Sequence, residues 1–402
     1  MWRRFALVGG LIVVTIAAAL LAWPRPDPDQ LWGEAQAALR GGRFDEAERA
    51  SERLATLRPP TDADLMLRAQ LAIARDRTDS ALEILGQLPE SSPLTPQARM
   101  LAGQLELRRS RLRVAERLYR EALALDPDLS QARRELIYIY GYQSRSGEIE
   151  EQFRGLAESG PIDPDDAFLW SLIRGVQWTP EEIVEVLSKA VEQDEADRRS
   201  RIALADALMD LNRFDEAEGA LGPLDPSDPE ARAALGRLAL ERGDVDALRA
   251  LLEGAPTGHA GLALLRGRLA LQLRDPDSAI EAYRTALELR ENDRDALSGL
   301  SQALNQAGRR EEAAEVVERL NRITALNNLL SNLGKVGLEP GPEEYLEIGH
   351  ACESVGFEAQ ARAWYQAALA EDPFNRAAQD ALAALGRSES EPEDGAGNAS
   401  GS

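Results

Sequence analysis

Residues 112–127, LRVAERLYREALALDP, set a small residue at Ala115, an aromatic four places on at Tyr119, a second small residue at Ala122 and a proline at Pro127. Proline cannot continue a helix, so Pro127 closes the segment. Working outward, the small position recurs at a step of 34 through Ala47, Ala81 and Ala115 and continues through Ile149, Ile183 and Ala217. It returns between Ala279 and Ala313, with Ala361 completing the series after an insertion. Prolines keep the same beat independently at Pro59, Pro93, Pro127 and Pro161, with Pro229 two steps further on and Pro373 twelve residues after Ala361. Two residue types sharing one register mark an internal repeat. The chain is rich in Ala, Leu, Glu, Arg and Asp and only 5% aromatic, a helical composition.

The spacing resembles the tetratricopeptide repeat, in which a small residue opens the second helix of a hairpin, an aromatic follows four later and a proline ends the unit. Gly267, Ala279, Tyr283 and Ala286 make a second good copy, and Gly349, Ala361, Tyr365, Ala368 and Pro373 a third. The resemblance covers roughly Asp29 to Pro373. It implies an all-α chain, a right-handed α-solenoid of about ten stacked helical hairpins. Small positions let the two helices of a hairpin approach, and the aromatic fills the gap to the next hairpin. Ile137, Ile149 and Ile183 put bulk where the family prefers a small side chain, so the fourth and fifth repeats should pack at different angles. Between Ala217 and Ala279 lie 62 residues instead of 68, which reads as a shortened repeat around Gly236 and Leu248 to Leu252. Asn321 to Pro342 keeps helical spacing without a repeat signature and prolongs a helix or adds one.

Phe5 to Trp23 is a 19-residue run without a charge, long enough to span a bilayer as a helix. Arg3 and Arg4 precede it, whereas one Arg and two Asp follow, which places the N-terminus in the cytoplasm and the rest of the chain outside. A cleaved signal peptide is the competing reading, but its apolar region is normally shorter. The expected organisation is a cytoplasmic N-terminus (1–4), a transmembrane signal anchor (5–23), a linker (24–30), the solenoid (31–373), a capping helix (374–386) and a disordered acidic tail (387–402). The composition leans towards a bacterium, which would put the array in the periplasm at the inner membrane.

Forty-six basic against 69 acidic side chains give a formal net charge of −23, which repels a phosphate backbone and argues against nucleic acid. Cys352 is the single cysteine, so no intramolecular disulfide or thiolate metal site can form. His259 and His350 lie 91 positions apart, which leaves little for catalysis. Cys352 reads as an apolar core position, with His350 facing the groove. Trp170 reads as core, and Trp178 as a neighbour of the helix start Thr179-Pro180-Glu181-Glu182. No enzyme, cofactor or metal is expected.

In the tetratricopeptide family the concave groove usually receives a peptide segment or a partner's helix. Counting along the family's groove-facing positions, the third to fifth repeats present Met100, Gln104, Arg134, Tyr138, Tyr142, Phe168 and Leu172, the least polar part of the groove. Aromatic and Arg anchors favour protein docking there, while packing of Tyr138 and Tyr142 on the next hairpin is the plainer reading. Gln302, Asn305 and Gln306 form a polar patch further along, and the family's carboxylate clamp for chaperone tails lacks its lysines and asparagines. The expected function is a membrane-anchored, extracytoplasmic scaffold for envelope proteins or their peptide segments. An envelope chaperone holding client precursors is the alternative.

Overall fold

A computed structural model describes residues 27–172, 178–336 and 341–388. Among them the chain is helical, and it divides into two compact units that meet between Leu105 and Glu106. The first holds α1 (Pro28–Arg40), α2 (Phe44–Leu57), α3 (Asp62–Ala74), α4 (Thr78–Leu85) and most of α5 (Thr95–Arg108). The second begins with α6 (Leu112–Leu125), α7 (Ser130–Tyr142), α8 (Ser146–Ser159), α9 (Pro164–Leu172) and α10 (Pro180–Gln193). It continues through α11 (Arg198–Asp210), α12 (Phe214–Leu221), α13 (Pro229–Glu241), α14 (Val245–Leu252), α15 (Ala260–Gln272) and α16 (Pro276–Leu289). It ends with α17 (Arg294–Gln306), α18 (Arg310–Val336), α19 (Pro342–Ser354), α20 (Glu358–Glu371) and α21 (Arg376–Ser388).

Consecutive helices pair as hairpins, each built by one turn chemistry. The residue opening the tight turn sits in the left-handed region at Gly42, Asp76, Ser110, Ser144, Asn212, Gly243, Arg274, Gly308 and Gly356, with φ from 53° to 80°. The following N–H then reaches back to the helix just ended, as in Arg145 N to Tyr140 O at 2.9 Å and Arg213 N to Leu208 O at 2.8 Å. This is the Schellman arrangement, which satisfies carbonyls that a helix end leaves unpaired.

The repeat spacing packs as the family resemblance implies. Ala47, Ala81, Ala115, Ala217, Ala279 and Ala361 are all buried. The Tyr283 ring lies wedged between two glycines: a Cβ on Gly267 of its own hairpin would come within 2.7 Å of the ring, and one on Gly299 of the next hairpin within 2.2 Å. Gly349 and Tyr365 repeat the device, at 2.3 Å. The shortening is shared by two repeats rather than confined to one: α11 with α12 and α13 with α14 each have an eight-residue second helix. The run after Asn321 prolongs a helix, making α18 27 residues long. The C-terminal helix is α21, packed on α20. Asp27 caps the first helix by accepting from Asp29 N at 3.0 Å, and Pro28 occupies its first turn. The expected linker therefore ends sooner than residue 30, because proline's fixed φ is already helical.

The fifth repeat departs from a closed hairpin. The turn register that passes through Ser144 reaches Trp178 one step of 34 later, and Thr179 N–H goes to Glu182 Oε2 at 2.9 Å in a capping box. Pro180, which follows, has no N–H. α10 therefore packs on α11 and α7, while α9 finds its main partner in α20, nearly 200 residues along the chain.

Closure of the second unit on itself follows. Asp166 of α9 holds Arg134 of α7 at 2.7 Å, and Trp170 stacks on Phe153 of α8 with ring centroids 5.6 Å apart. Across the seam, Trp364 Nε1 donates to Ser171 Oγ at 2.8 Å, and Ser171 Oγ lies 3.9 Å from Cys352 Sγ. Glu150 Oε2 accepts from both Trp170 Nε1 at 2.7 Å and Gln360 Nε2 at 3.2 Å. The expected anchor, residues 5–23, lies outside the described residues, as do the last residues of the acidic tail. Among the described residues no helix is long and apolar enough to cross a membrane.

Candidate protein-binding groove

One face of α7 carries Arg134, Tyr138 and Tyr142, the positions expected to face a groove. Two steps of 34 carry these positions to Ile202, Asp206 and Asp210 on α11, and a step of 31 to Ala233, Arg237 and Glu241 on α13. Another 31 reaches Leu264 and Arg268 on α15. Most of these side chains line a single cavity of about 610 Å³ within the second unit, bordered also by Arg145, Glu148 and Arg290. The cavity wall is thus built by α11, α13 and α15, and none of Met100, Gln104, Arg134, Tyr138, Tyr142, Phe168 and Leu172 is among its lining residues.

Its wall is a ladder of ion pairs between successive first helices. Arg237 bridges to Asp206 at 3.0 Å and to Asp210; Arg268 reaches Asp295 at 2.7 Å and Glu241 at 4.0 Å. Arg199 spans from Glu148 at 3.4 Å to Glu230 at 3.7 Å. Desolvation pushes the Asp206 carboxyl above its ordinary value, and Arg237 offsets this only in part. Arg237 is shared with Asp210, so its own cation is favoured while Asp206 is left incompletely compensated. His259, the N-cap of α15, accepts from Leu262 N at 3.3 Å, and desolvation followed by nearby Arg290 lowers its pKa. Arg145 anchors the rim. It is buried, binds Glu116 at 2.8 and 3.0 Å and Glu148 at 2.9 Å, and lies 4.2 Å from the Tyr140 ring centre.

Of the residues singled out in the sequence, Arg134, Tyr138 and Tyr142 share one face of α7. Tyr142 is buried, with desolvation and the Tyr138 hydroxyl raising its phenol pKa; Tyr138 is 41% exposed. Trp178 seals this face, 4.7 Å from Tyr142 between ring centres, and its ring occupies the space a Cβ on Gly141 would need. Arg134 is already engaged by Asp166. Phe168 is half-buried on α9, and Leu172 is the last residue of that helix. Met100, buried, and Gln104, half-buried, belong to α5 in the first unit. Cys352 is buried, which pushes its thiol up to about 12, and His350 is exposed with its ring on the Tyr365 hydroxyl at 2.9 Å. Gln302, Asn305 and Gln306 are exposed on α17. Among the described residues no group of three or more His, Cys, Asp or Glu could hold a metal ion.

Sequence reading missed the ion-pair ladder. Its signal was present as opposite charges at equivalent register positions, Asp206, Arg237, Glu241 and Arg268.

The family model described as Tetratricopeptide repeat matches residues 66–130, 202–261 and 264–327. Over those stretches the helical hairpins are similar to tetratricopeptide repeats. No curated protein matches it. Among solved structures it is similar to the Cut9-Hcn1 hetero-tetramer of the APC/C, at 14% identity and a TM-score of 0.36 over 89% of this chain and 90% of that one. It is also similar to a tetratricopeptide repeat protein of Parabacteroides merdae, at 18% identity and a TM-score of 0.32 over 60% and 98% of the two chains. For pilF of Pseudomonas aeruginosa the values are 18% and 0.28 over 52% and 97%.

Proposed function

We infer that this chain is a protein-interaction scaffold, not an enzyme, which holds a polar segment of a partner in the concavity lined by α11, α13 and α15. It is anchored by residues 5–23 in the inner membrane with its repeats outside the cytoplasm, and its partners are envelope proteins. The observation that carries the reading is that equivalent positions of α11, α13 and α15 line one cavity and bring Asp206, Arg237, Glu241 and Arg268 together. Paired charges on such a wall confer specificity more than affinity, because a partner's charges must match the ladder's order. Tyr138, exposed on α7, adds an aromatic anchor of the kind enriched in interfaces.

The test is crosslinking of the full chain in its own host, beside a variant carrying Tyr138→Ala and Arg290→Glu, both exposed positions. One or a few envelope proteins captured by the native chain and lost from the variant is the expected result. An unchanged set would remove the groove from the account, and a cytoplasmic set would reverse the topology.

A further inference from the structure

Hairpins of the second unit pack on their neighbours in sequence, but α9 packs on distant helices, α20 and α18, and Glu150 of α8 joins it by bonding Gln360 of α20. We propose that this seam is the joint at which the second unit opens, with the hairpins on both sides staying folded. Stability in a helical array is approximately a sum over neighbouring repeats, so breaking a contact between distant repeats removes one interface and unfolds none. The seam is also built differently from the hairpin interfaces. Those interlock apolar side chains, as in the cluster of Ala279, Ile280, Tyr283, Leu300 and Leu304. The seam adds buried polar side-chain bonds, Trp364 to Ser171 and Gln360 to Glu150, beside the buried rings of Trp170 and Trp364.

The division falls at a definite place. α9 is fixed to α7 and α8 by Asp166 with Arg134, by Trp170 on Phe153 and by Trp170 with Glu150. By these bonds it should remain with them when α20, its broadest partner, moves off together with α18 and α19. The turn of the last hairpin also leans on the loop after α16, where Asn292 Nδ2 donates to Val355 O at 3.3 Å. Arg290, two residues earlier, borders the concavity. Opening the seam thus frees one wall of the groove. The opening stands on geometry alone; its consequence for partner access rests on the scaffold reading.

Cys352 supplies the probe, because it is the chain's single cysteine, is buried, and faces Ser171 across the seam. In the full-length chain, labelling of Cys352 by N-ethylmaleimide is followed together with hydrogen exchange of the α20 amides. The expected result is that the thiol labels through an opening of lower free energy than the one exposing the α20 amides, with little denaturant dependence. Ser171→Ala, which removes the acceptor of Trp364, should speed labelling about tenfold and leave α20 exchange unchanged. Leu248→Ala, a core truncation in α14, should leave labelling unchanged. If labelling and α20 exchange share one free energy, or if Leu248→Ala accelerates labelling as much as Ser171→Ala, Cys352 is exposed by unfolding and the proposal fails. Partner capture is a separate readout, so loss of the scaffold reading would leave this result intact.

Discussion

At the scale of the residue, the chain keeps its charges stable by sharing them. Arg145 is buried, yet its cation is favoured: burial opposes the charge and Glu116, then Glu148, outweighs it. Removing one partner of a buried ion pair strands the others, so Arg145→Ala should cost about 3–5 kcal/mol in denaturant unfolding. Arg145→Lys should recover little, because an ammonium cannot grip Glu116 with two nitrogens while holding Glu148 and the Gln143 side-chain Oε1. A loss below about 1 kcal/mol would make this network ornamental. In the first unit, burial would raise the Asp64 carboxyl, but hydrogen bonds from Arg58 and Thr61 outweigh it and hold it below the usual Asp value. A lowered native pKa contributes stability that is present above the unfolded value of about 3.9 and is lost as pH falls through the native one. Asp64→Asn should therefore destabilise by about 1–3 kcal/mol at pH 7 and flatten the acid limb of the stability curve. An unchanged acid limb would show that Asp64 does not control it.

At the scale of the element, the hairpin turn sets the design, and it was the part hardest to see in the sequence. Glycine at 42, 243, 308 and 356 announces a left-handed turn, but Asp76, Ser110, Ser144, Asn212 and Arg274 adopt the same conformation without advertising it. Left-handed backbone is unfavourable for a residue with a Cβ, and Arg274 is exposed, with no burial to offset the strain. Arg274→Gly should stabilise the protein by about 0.5–1 kcal/mol after the entropy lost to glycine's flexible unfolded state, measurable as a raised denaturation midpoint. Destabilisation would mean that the arginine side chain holds the turn. The small and aromatic positions were legible because packing leaves no choice there: Tyr283 fits only between two glycines. The departure at the fifth repeat was half legible. Bulk at Ile183 pointed to altered packing, but the decisive feature was Trp178-Thr179-Pro180 standing where a turn should be, and it sent α9 to a partner that no local pattern could name. For the cavity, the opposite charges at equivalent positions were present in the sequence, but their pairing was not legible there. Aromatic positions drew the eye, whereas Arg237 and Arg268 look like ordinary surface charges until their helices stand side by side.

At the scale of the whole molecule, two compact units differ in how their cores are connected. The first is joined by neighbour contacts, α1 with α2 and α3 with α4. The second adds a bond between distant segments, which couples its hairpins more tightly than neighbour contacts alone. In hydrogen exchange across a denaturant series, residues 28–85 should lose protection at lower denaturant than residues 198–306. A single shared midpoint would show that the chain unfolds as one cooperative body.

The seam has one more consequence. A helical array that stops abruptly offers its last apolar face to any copy offering a first one, and such copies join head to tail into open filaments. Here α20 of the last hairpin is covered by both α21 and α9 of the same chain. Closure thus doubles as a guard against polymerisation, because the contact a neighbouring copy would need has been made from within.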